Sequence, residues 1–564
     1  MGIDISIQIG GEAGQGIQTV GQLLSLVCQK AGLYVFAIND YESRVRGGES
    51  FLQLRIADRP IDAPYHRLHL LIALDRKAYD LHKSELDDGG LVMIDTEIGV
   101  EGDSVFTLPI NALAKQAGGL ITANTVAASA CIGLLGGPLT LLNEVLEDLF
   151  GKKEKSVMDK NLMAASLGFK AVQLAKFQWA FSWQEKEPKG IMLDGAQSIA
   201  LGALASDCRF AAFYPMSPAT AIMSYLVSYG QKGLPVVVEQ VEDEIAAVNM
   251  AIGASFAGVR SMTATSGGGF CLMTEGLGLA AISETPLVIV NAQRPGPATG
   301  MATRTAQADL LFAIYASQDE FPRFIFAPGT INEAYDTMQK AFLLSEKYQV
   351  PSIVLVDHFF NTSLYIADKP FQVPDRIERF YVTDQEISNP ASYLRFQVTP
   401  DGISPRALPC NGDALVLVTG NEHSEDGHNS EAIDVRIAMA DKRMKKIAAM
   451  TKEMKPPESY YGDAEMLLLG WGSSKGAIRE AVDILRKYGM DAGCLHFVDI
   501  WPFPAQIVAD MLKKKKRIVM VEGNMTAQLG RIIKEQTGIA YTHTLLKYDG
   551  RPFYPQKIVD QFMQ

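Results

Sequence analysis

Residues 261–294 read SMTATSGGGFCLMTEGLGLAAISETPLVIVNAQR, and this stretch decides the fold. A short β-rich run, SMTAT, meets the glycine turn Ser266-Gly267-Gly268-Gly269; a helical stretch, FCLMTEGLGLAAIS, follows, and then a second apolar run, PLVIVNAQ. Strand, turn, helix and strand in that order build an α/β sheet covered on its faces. The same grain extends outward. CRFAAFYP and LPVVVEQ precede the stretch, PSIVLVD follows it, and each leads into a helical or glycine-rich segment, so residues 186–368 are expected to form one α/β domain. Upstream, residues 1–185 form another: ISIQIGG runs into a glycine turn and the helix-period TVGQLLSLVCQKAG, FLQLRIA, HLLIALD and GLVMID are further strands, and the charged WQEKEPKG marks the boundary. Residues 369–460 lose the rhythm and end in a basic amphipathic helix, IDVRIAMADKRMKKIAAM, which reads as the close of a connector. Residues 461–564 return to α/β through AEMLLLGWG, AIREAVDILRKYG, GCLHFVD and RIVMVEGN. The fold class is multidomain α/β.

The totals agree with several cores. At 564 residues, 48% hydrophobic and 21% charged, the chain is too long for one interior. A net charge of -12 repels nucleic acid and anionic membrane. Cys28, Cys131, Cys208, Cys271, Cys410 and Cys494 are scattered, with no C-x-x-C pair to bracket a metal or cluster, and unpaired thiols suit a reducing cytoplasm. No metal site is expected on this chain. The uncharged run 117–143 contains Asn124 and a Gly-Gly-Pro break, and reads as two buried helices rather than a membrane span. Lys513 to Lys516 close a helix, where cations complement its dipole.

Several constellations can carry chemistry. The turn Gly10-Gly11-Glu12-Ala13-Gly14-Gln15-Gly16 lies between a strand and a helix, which suits a phosphate or an unliganded tight turn equally. Arg44, Arg46, Gly47 and Gly48 suit an anionic group such as a coenzyme phosphate, or pairing with neighbouring acids. Tyr214-Pro215-Met216-Ser217-Pro218 presents one hydroxyl, Ser217, at a strand's carboxyl end, where α/β sheets place ligands. Glu242, Asp243 and Glu244 open a nearly all-apolar helix. Acids there complement the helix dipole, but Glu244 leads straight into the apolar run and can be held dry with a raised pKa. Gly267 and Gly268 let a backbone approach a ligand closely, and Arg294, followed by Thr303, can grip a carboxylate or lie solvated.

In this order, YPMSPAT, VEDEIAAVNMAIGASFAG, TSGGGFCLMTEGLGL and NAQRPGPATGMATRT resemble the α subunit of 2-oxoacid:ferredoxin oxidoreductases. GGEAGQG and YESRVRGG resemble the γ domain of the same enzymes, fused here at the front, and TGNEHSEDGHNSEAIDVRIAMADKRMKK, GWGSSKGAIREAV and VEGNMTAQLGR also fit that family. The resemblance implies a γ-type domain, a pyrimidine-side thiamine-binding domain and a transketolase C-terminal-like domain. It further implies an enzyme that decarboxylates a 2-oxoacid with thiamine diphosphate, passes electrons through a 4Fe–4S cluster to ferredoxin, and gives the acyl group to coenzyme A. Glu244 matches the acid at the cofactor's aminopyrimidine ring, where proton exchange readies the cofactor. Ser217 stands where the motif usually carries threonine, near cofactor and substrate, with Tyr214, Pro215, Gly267 and Gly268 around the cofactor. Arg294 and Thr303 match positions that recognise the 2-oxoacid carboxylate, and Arg44, Arg46, Gly47 and Gly48 are assigned to coenzyme A. Thr305-Ala306 and Gly267-Gly268-Gly269 depart from the family pattern, which leaves substrate preference open but not reaction class. The chain has no GDG motif with paired asparagines. The resemblance therefore implies a β subunit that holds the diphosphate, Mg2+ and the cluster, in an (αβ)2 heterotetramer. The fused layout and GNEHSEDGH favour 2-oxoglutarate, with pyruvate or a branched-chain 2-oxoacid as the alternative and a nucleotide-binding scaffold as the rival of another class.

Overall fold

The computed structural model describes residues 3–563 apart from residues 13, 42–48, 176–182, 184–186, 188, 189, 368, 388 and 411. The chain divides into two compact units, one of residues 1–193, 363–370 and 554–564, the other of residues 194–362 and 371–553.

In the first unit ISIQIGG lies in strand Asp4–Glu12, within an eight-stranded sheet. On one side it pairs in parallel with Leu68–Ala73, followed by Leu86–Asp95 and Val105–Leu108. On the other it pairs antiparallel with Glu49–Ala57, followed by Tyr34–Tyr41, Leu364–Ala367 and Ile191–Asp194. Strand alternation sends Ile5, Ile7 and Ile9 into the core under helix Ile17–Lys30. The uncharged run forms helices Ala123–Leu134 and Leu139–Phe150 on either side of the Gly-Gly-Pro break, the former almost wholly buried. Among the described residues no single helix is long and apolar enough to cross a membrane. In the glycine turn Gly14 and Gly16 have φ of 94° and 87°, a left-handed backbone that glycine adopts without strain. The Glu12 amide donates to Gln15 Oε1 and Asp75 Oδ2, each at 2.9 Å. A carboxylate already occupies that donor and repels anions, which favours the unliganded reading of the turn.

In the second unit the stretch quoted above supplies two parallel neighbours, Ser261–Thr265 and Leu287–Gln293. They belong to a seven-stranded sheet in the order Asp499–Trp501, Phe324–Phe326, Pro351–Asp357, Leu287–Gln293, Ser261–Thr265, Phe210–Phe213, Val237–Gln240. Every pair is parallel except the first. The central strands are buried throughout, as a sheet covered on both faces requires, while the edge strand Val237–Gln240 is largely exposed. A second sheet of five strands runs Glu458–Tyr460, Ala492–Phe497, Met466–Trp471, Arg517–Glu522, His543–Leu546. Ile289 and Leu355 of one sheet share a single apolar core with Leu467, Trp471 and Leu495 of the other.

The connector's helix, Ile433–Glu453, carries the basic residues read from the sequence but buries several of them. Lys442 and Lys446 are buried, whereas Ile433 and Ile437 are 79% and 57% exposed. The cause is Glu284, which takes Lys442 Nζ and, at 2.6 Å, Lys446 Nζ on its carboxylate, while its carbonyl accepts from Arg395 Nη2 at 2.8 Å. Buried Glu346 works the same way, with Arg260 Nη2 at 2.7 Å and Arg379 Nη2 at 2.9 Å. Tertiary charge pairing has overridden the periodicity, because a buried charge must find its partner.

Candidate functional site

Parallel sheets bind ligands beyond the carboxyl ends of their strands, and four such ends carry the expected residues. Strand Phe210–Phe213 delivers Tyr214-Pro215-Met216-Ser217-Pro218, and the Met216 carbonyl, accepting from Ala219 N at 2.8 Å, turns the chain into helix Thr220–Gln231. Tyr214 and Ser217 are exposed. The Ser217 carbonyl accepts from Arg294 Nη1 at 2.7 Å, which joins the first strand end to the fourth.

The second strand end leads to Asp243, whose carboxylate accepts from Ala246 N at 2.8 Å and caps helix Glu244–Phe256. Such a cap contributes about 1 kcal/mol and fixes where the helix starts. Glu244 is thereby set at the first helical position. It is 3% exposed, and its Oε1 is buried with no hydrogen-bond partner among the described residues. Leaving a buried acceptor unpaired costs about 1–3 kcal/mol, a cost that a ligand's donor would remove. Burial raises the Glu244 pKa and Asp243 adds to the rise, against smaller effects of a backbone amide and Arg294. Glu244 in turn raises the pKa of Arg294, which burial lowers.

The third strand end is the glycine triplet, where space rather than backbone conformation demands glycine. A Cβ at Gly269 would collide with the Thr265 hydroxyl and come within 2.5 Å of Glu244 Oε1; a Cβ at Gly267 would come within 2.5 Å of Asp309 Oδ2. At Gly268 the nearest atom to such a Cβ, Ala298 O, is 3.6 Å away, so this position faces open space. Arg294, half-buried, leaves the fourth strand end, and the geometry thus brings Ser217, Glu244, the glycine triplet and Arg294 together. Thr303 is half-buried on the following loop. Arg304 Nη1 reaches its carbonyl at 3.5 Å, and no hydrogen bond among the described residues links Thr303 to Arg294 or Glu244. Arg44, Arg46, Gly47 and Gly48 lie outside the described residues.

Three further residues belong to this neighbourhood. Asp309 accepts from Asn291 Nδ2 at 3.1 Å, and burial raises its pKa. Asn361 Nδ2 donates to Pro218 O at 3.3 Å while its Oδ1 is buried and unpaired. Asp357, pushed up to about 6 by burial, accepts from Ser473 Oγ and from Phe360 N. The Asn361–Pro218 and Asp357–Ser473 contacts join residues 143 and 116 positions apart, so no local pattern announces them.

Three family descriptions match successive parts of the chain: "Pyruvate ferredoxin/flavodoxin oxidoreductase" over residues 6–171, "Pyruvate flavodoxin/ferredoxin oxidoreductase, thiamine diP-bdg" over 201–442, and "Pyruvate:ferredoxin oxidoreductase core domain II" over 464–558. The 2-oxoacid:ferredoxin oxidoreductase subunit alpha of a Sulfolobus species is 32% identical over 99% of this chain and 96% of its own length. The chain belongs to the 2-oxoacid:ferredoxin oxidoreductases, as an α subunit with a γ-type front domain. Within this thiamine-diphosphate-dependent family, the 2-oxoglutarate synthase subunit KorA of Methanothermobacter marburgensis is 32% identical over 66% of this chain and 98% of its own. A solved 2-oxoglutarate:ferredoxin oxidoreductase from Magnetococcus marinus, with 2-oxoglutarate, coenzyme A and succinyl-CoA bound, superposes with a TM-score of 0.91 at 30% identity, covering 99% of each chain. The thiamine-binding description spans Ser217, Glu244, the glycine triplet and Arg294 of this oxidoreductase subunit.

Proposed function

We propose that the enzyme oxidatively decarboxylates 2-oxoglutarate to succinyl-CoA and CO2, with electrons passed to ferredoxin, and that this chain contributes the aminopyrimidine end of the thiamine diphosphate site. The observation that carries the reading is Glu244: a buried carboxylate with an orphaned oxygen, backed by a glycine that leaves room for no side chain. That unpaired carboxylate oxygen fits the polar edge of an aminopyrimidine ring, to which it can offer an acceptor. The bound cofactor supplies a carbon nucleophile for the 2-oxo carbon and a sink for the electron pair released with CO2. Glu244 holds and moves the proton at its carboxyl group, and burial, which raises its pKa, favours the protonated form that such an exchange needs. Gly267, Gly268, Tyr214 and Pro215 shape the space around the ring. Arg294, anchored on the Ser217 carbonyl, grips the substrate carboxylate with Thr303, while the Ser217 hydroxyl faces cofactor and substrate. The stretch from Arg44 to Gly48 keeps its assignment to coenzyme A on sequence.

Beside Glu244, the edge strand Val237–Gln240 and the apolar side chains Ile245, Met250 and Leu272 are exposed. This supports a β subunit docking there; in the proposed reading that subunit brings the diphosphate site, Mg2+ and the 4Fe–4S cluster, in an (αβ)2 assembly in the cytoplasm. The relatives named for 2-oxoglutarate favour that substrate over pyruvate or a branched-chain 2-oxoacid. Anaerobic purification with the copurifying partner, followed by a panel of 2-oxoacids with coenzyme A and a viologen dye, tests the proposal. Dye reduction fastest with 2-oxoglutarate is expected; no reduction with any 2-oxoacid overturns it.

A further inference from the structure

The GWG and VEGN turns of the C-terminal α/β region take no part in the chemistry above, yet they hold the loop that carries the substrate-recognition residues. The front half of that loop is exposed and held by its own bonds, Met301 N to Pro295 O at 3.0 Å and Arg304 N to Met301 O at 3.1 Å. The back half is fastened. Gln307, 3% exposed, donates from Nε2 to Trp471 O at 2.6 Å, and its Oε1 accepts from Gly523 N at 2.7 Å. Its amide donates to Gly523 O at 2.8 Å, and its carbonyl accepts from Asn524 Nδ2 at 3.0 Å. One residue later Gln528 Nε2 donates to Ala308 O at 2.7 Å, and Gln528 Oε1 accepts from Leu311 N at 3.0 Å.

The receiving surface is itself rigid. Glu522, wholly buried, accepts from Trp471 Nε1 at 3.1 Å, Asn524 Nδ2 at 2.8 Å, Leu529 N at 3.0 Å and Gly530 N at 3.1 Å, which ties the two turns into one socket. We infer that Gln307 is a positioning residue: seated in this socket, it fixes where Thr303 stands relative to Arg294, so the C-terminal region sets the geometry of substrate-carboxylate recognition. Thr303 lies only four positions before the latch, and the chain between them has little freedom once Thr305 N is bonded to Gly550 O at 3.3 Å. This inference rests on the proposed role of Arg294 and Thr303.

The test uses the purified complex with its partner subunit and the variants Gln307→Ala, Gln307→Glu, Gln528→Ala and Arg294→Met. Misplacing a carboxylate grip removes binding that the ground and transition states share, so Gln307→Ala is expected to raise the KM for the 2-oxoacid about tenfold or more and Gln528→Ala about threefold, with kcat and thiamine diphosphate affinity within about twofold. Gln307→Glu keeps the volume and the acceptor for Gly523, and falls between wild type and Gln307→Ala. Trypsin cleavage after Arg304 accelerates in Gln307→Ala and Gln528→Ala, a readout independent of turnover. Should Gln307→Ala fail to fold, Gln528→Ala, only half-buried at the rim of the socket, decides. The inference is overturned by unchanged KM and unchanged cleavage in Gln528→Ala, or by KM, kcat and cofactor affinity worsening together in step with thermal unfolding. An unchanged KM in Arg294→Met overturns the substrate assignment instead, while the cleavage rates still report the latch.

Discussion

Glu244 and Glu284 are the same chemical group, both in the second unit, one opening a helix and the other just past a helix's C-terminal cap, both withdrawn from water, yet their surroundings act on them in opposite ways. At Glu284 burial alone would raise the pKa, but Lys446, Lys442 and Arg395 outweigh it and hold the carboxyl well below the usual carboxylate range. At Glu244 no cation sits close enough to win, and burial raises the pKa. Burial sets the cost of a charge, and the partners decide what the charge is for. A carboxylate saturated by lysines is a fastener that cannot trade its proton; one kept dry and unpartnered is ready to do so.

The contrast can be broken at either end. Glu244→Gln is expected to lower 2-oxoacid-dependent dye reduction about 10²–10⁴-fold, the range of one lost acid–base group, while the melting temperature holds or rises. Glu284→Gln, which strands buried cations, is expected to cost about 3 kcal/mol in urea unfolding, with near-normal turnover in the fraction that folds. Equal damage to stability from both variants would erase the distinction. Arg294→Met removes a charge-assisted contact and is expected to raise the KM for the 2-oxoacid about tenfold or more with a smaller change in kcat, read from steady-state kinetics.

The smallest and sharpest test is the sign of a pH slope. Glu284 has a lowered folded pKa, so its stabilisation is present above the ordinary value, 4.5, and is lost as pH falls through the folded pKa. Glu244 has a raised folded pKa, so its contribution is most favourable below 4.5 and is lost as pH rises through the folded value. Unfolding free energies measured from about pH 2 to 8, so that values below and above 4.5 are both sampled, should show the penalty of Glu284→Gln shrinking toward acid, whereas any gain from Glu244→Gln grows toward neutral pH. Slopes of the same sign would contradict the assignment.

Much of the fold was legible because it repeats locally. Five strands of the seven-stranded sheet announce themselves as apolar runs with a turn behind them, the short Phe324–Phe326 and Asp499–Trp501 do not, and Glu244 stands out as an acid opening an apolar helix. What escaped was long-range. Lys442 and Lys446 read only as part of a basic amphipathic helix, because nothing near them in sequence mentions Glu284, more than 150 residues away. Gln307 carries no signal in the sequence because its partners, Trp471, Gly523 and Asn524, lie 164 to 217 positions downstream. Gly269 carried no more weight than its neighbours until the carboxyl pressed against it was in view.

That glycine triplet has a practical use. Its three identical letters have unequal freedom: positions 267 and 269 are walled in, while 268 opens outward without a left-handed backbone. A library randomising all three should return glycine at the outer pair and a spread of small residues at the centre. A cysteine placed there would carry a fluorophore at this exposed turn, letting a spectrometer test in real time whether the vitamin arrives beside it.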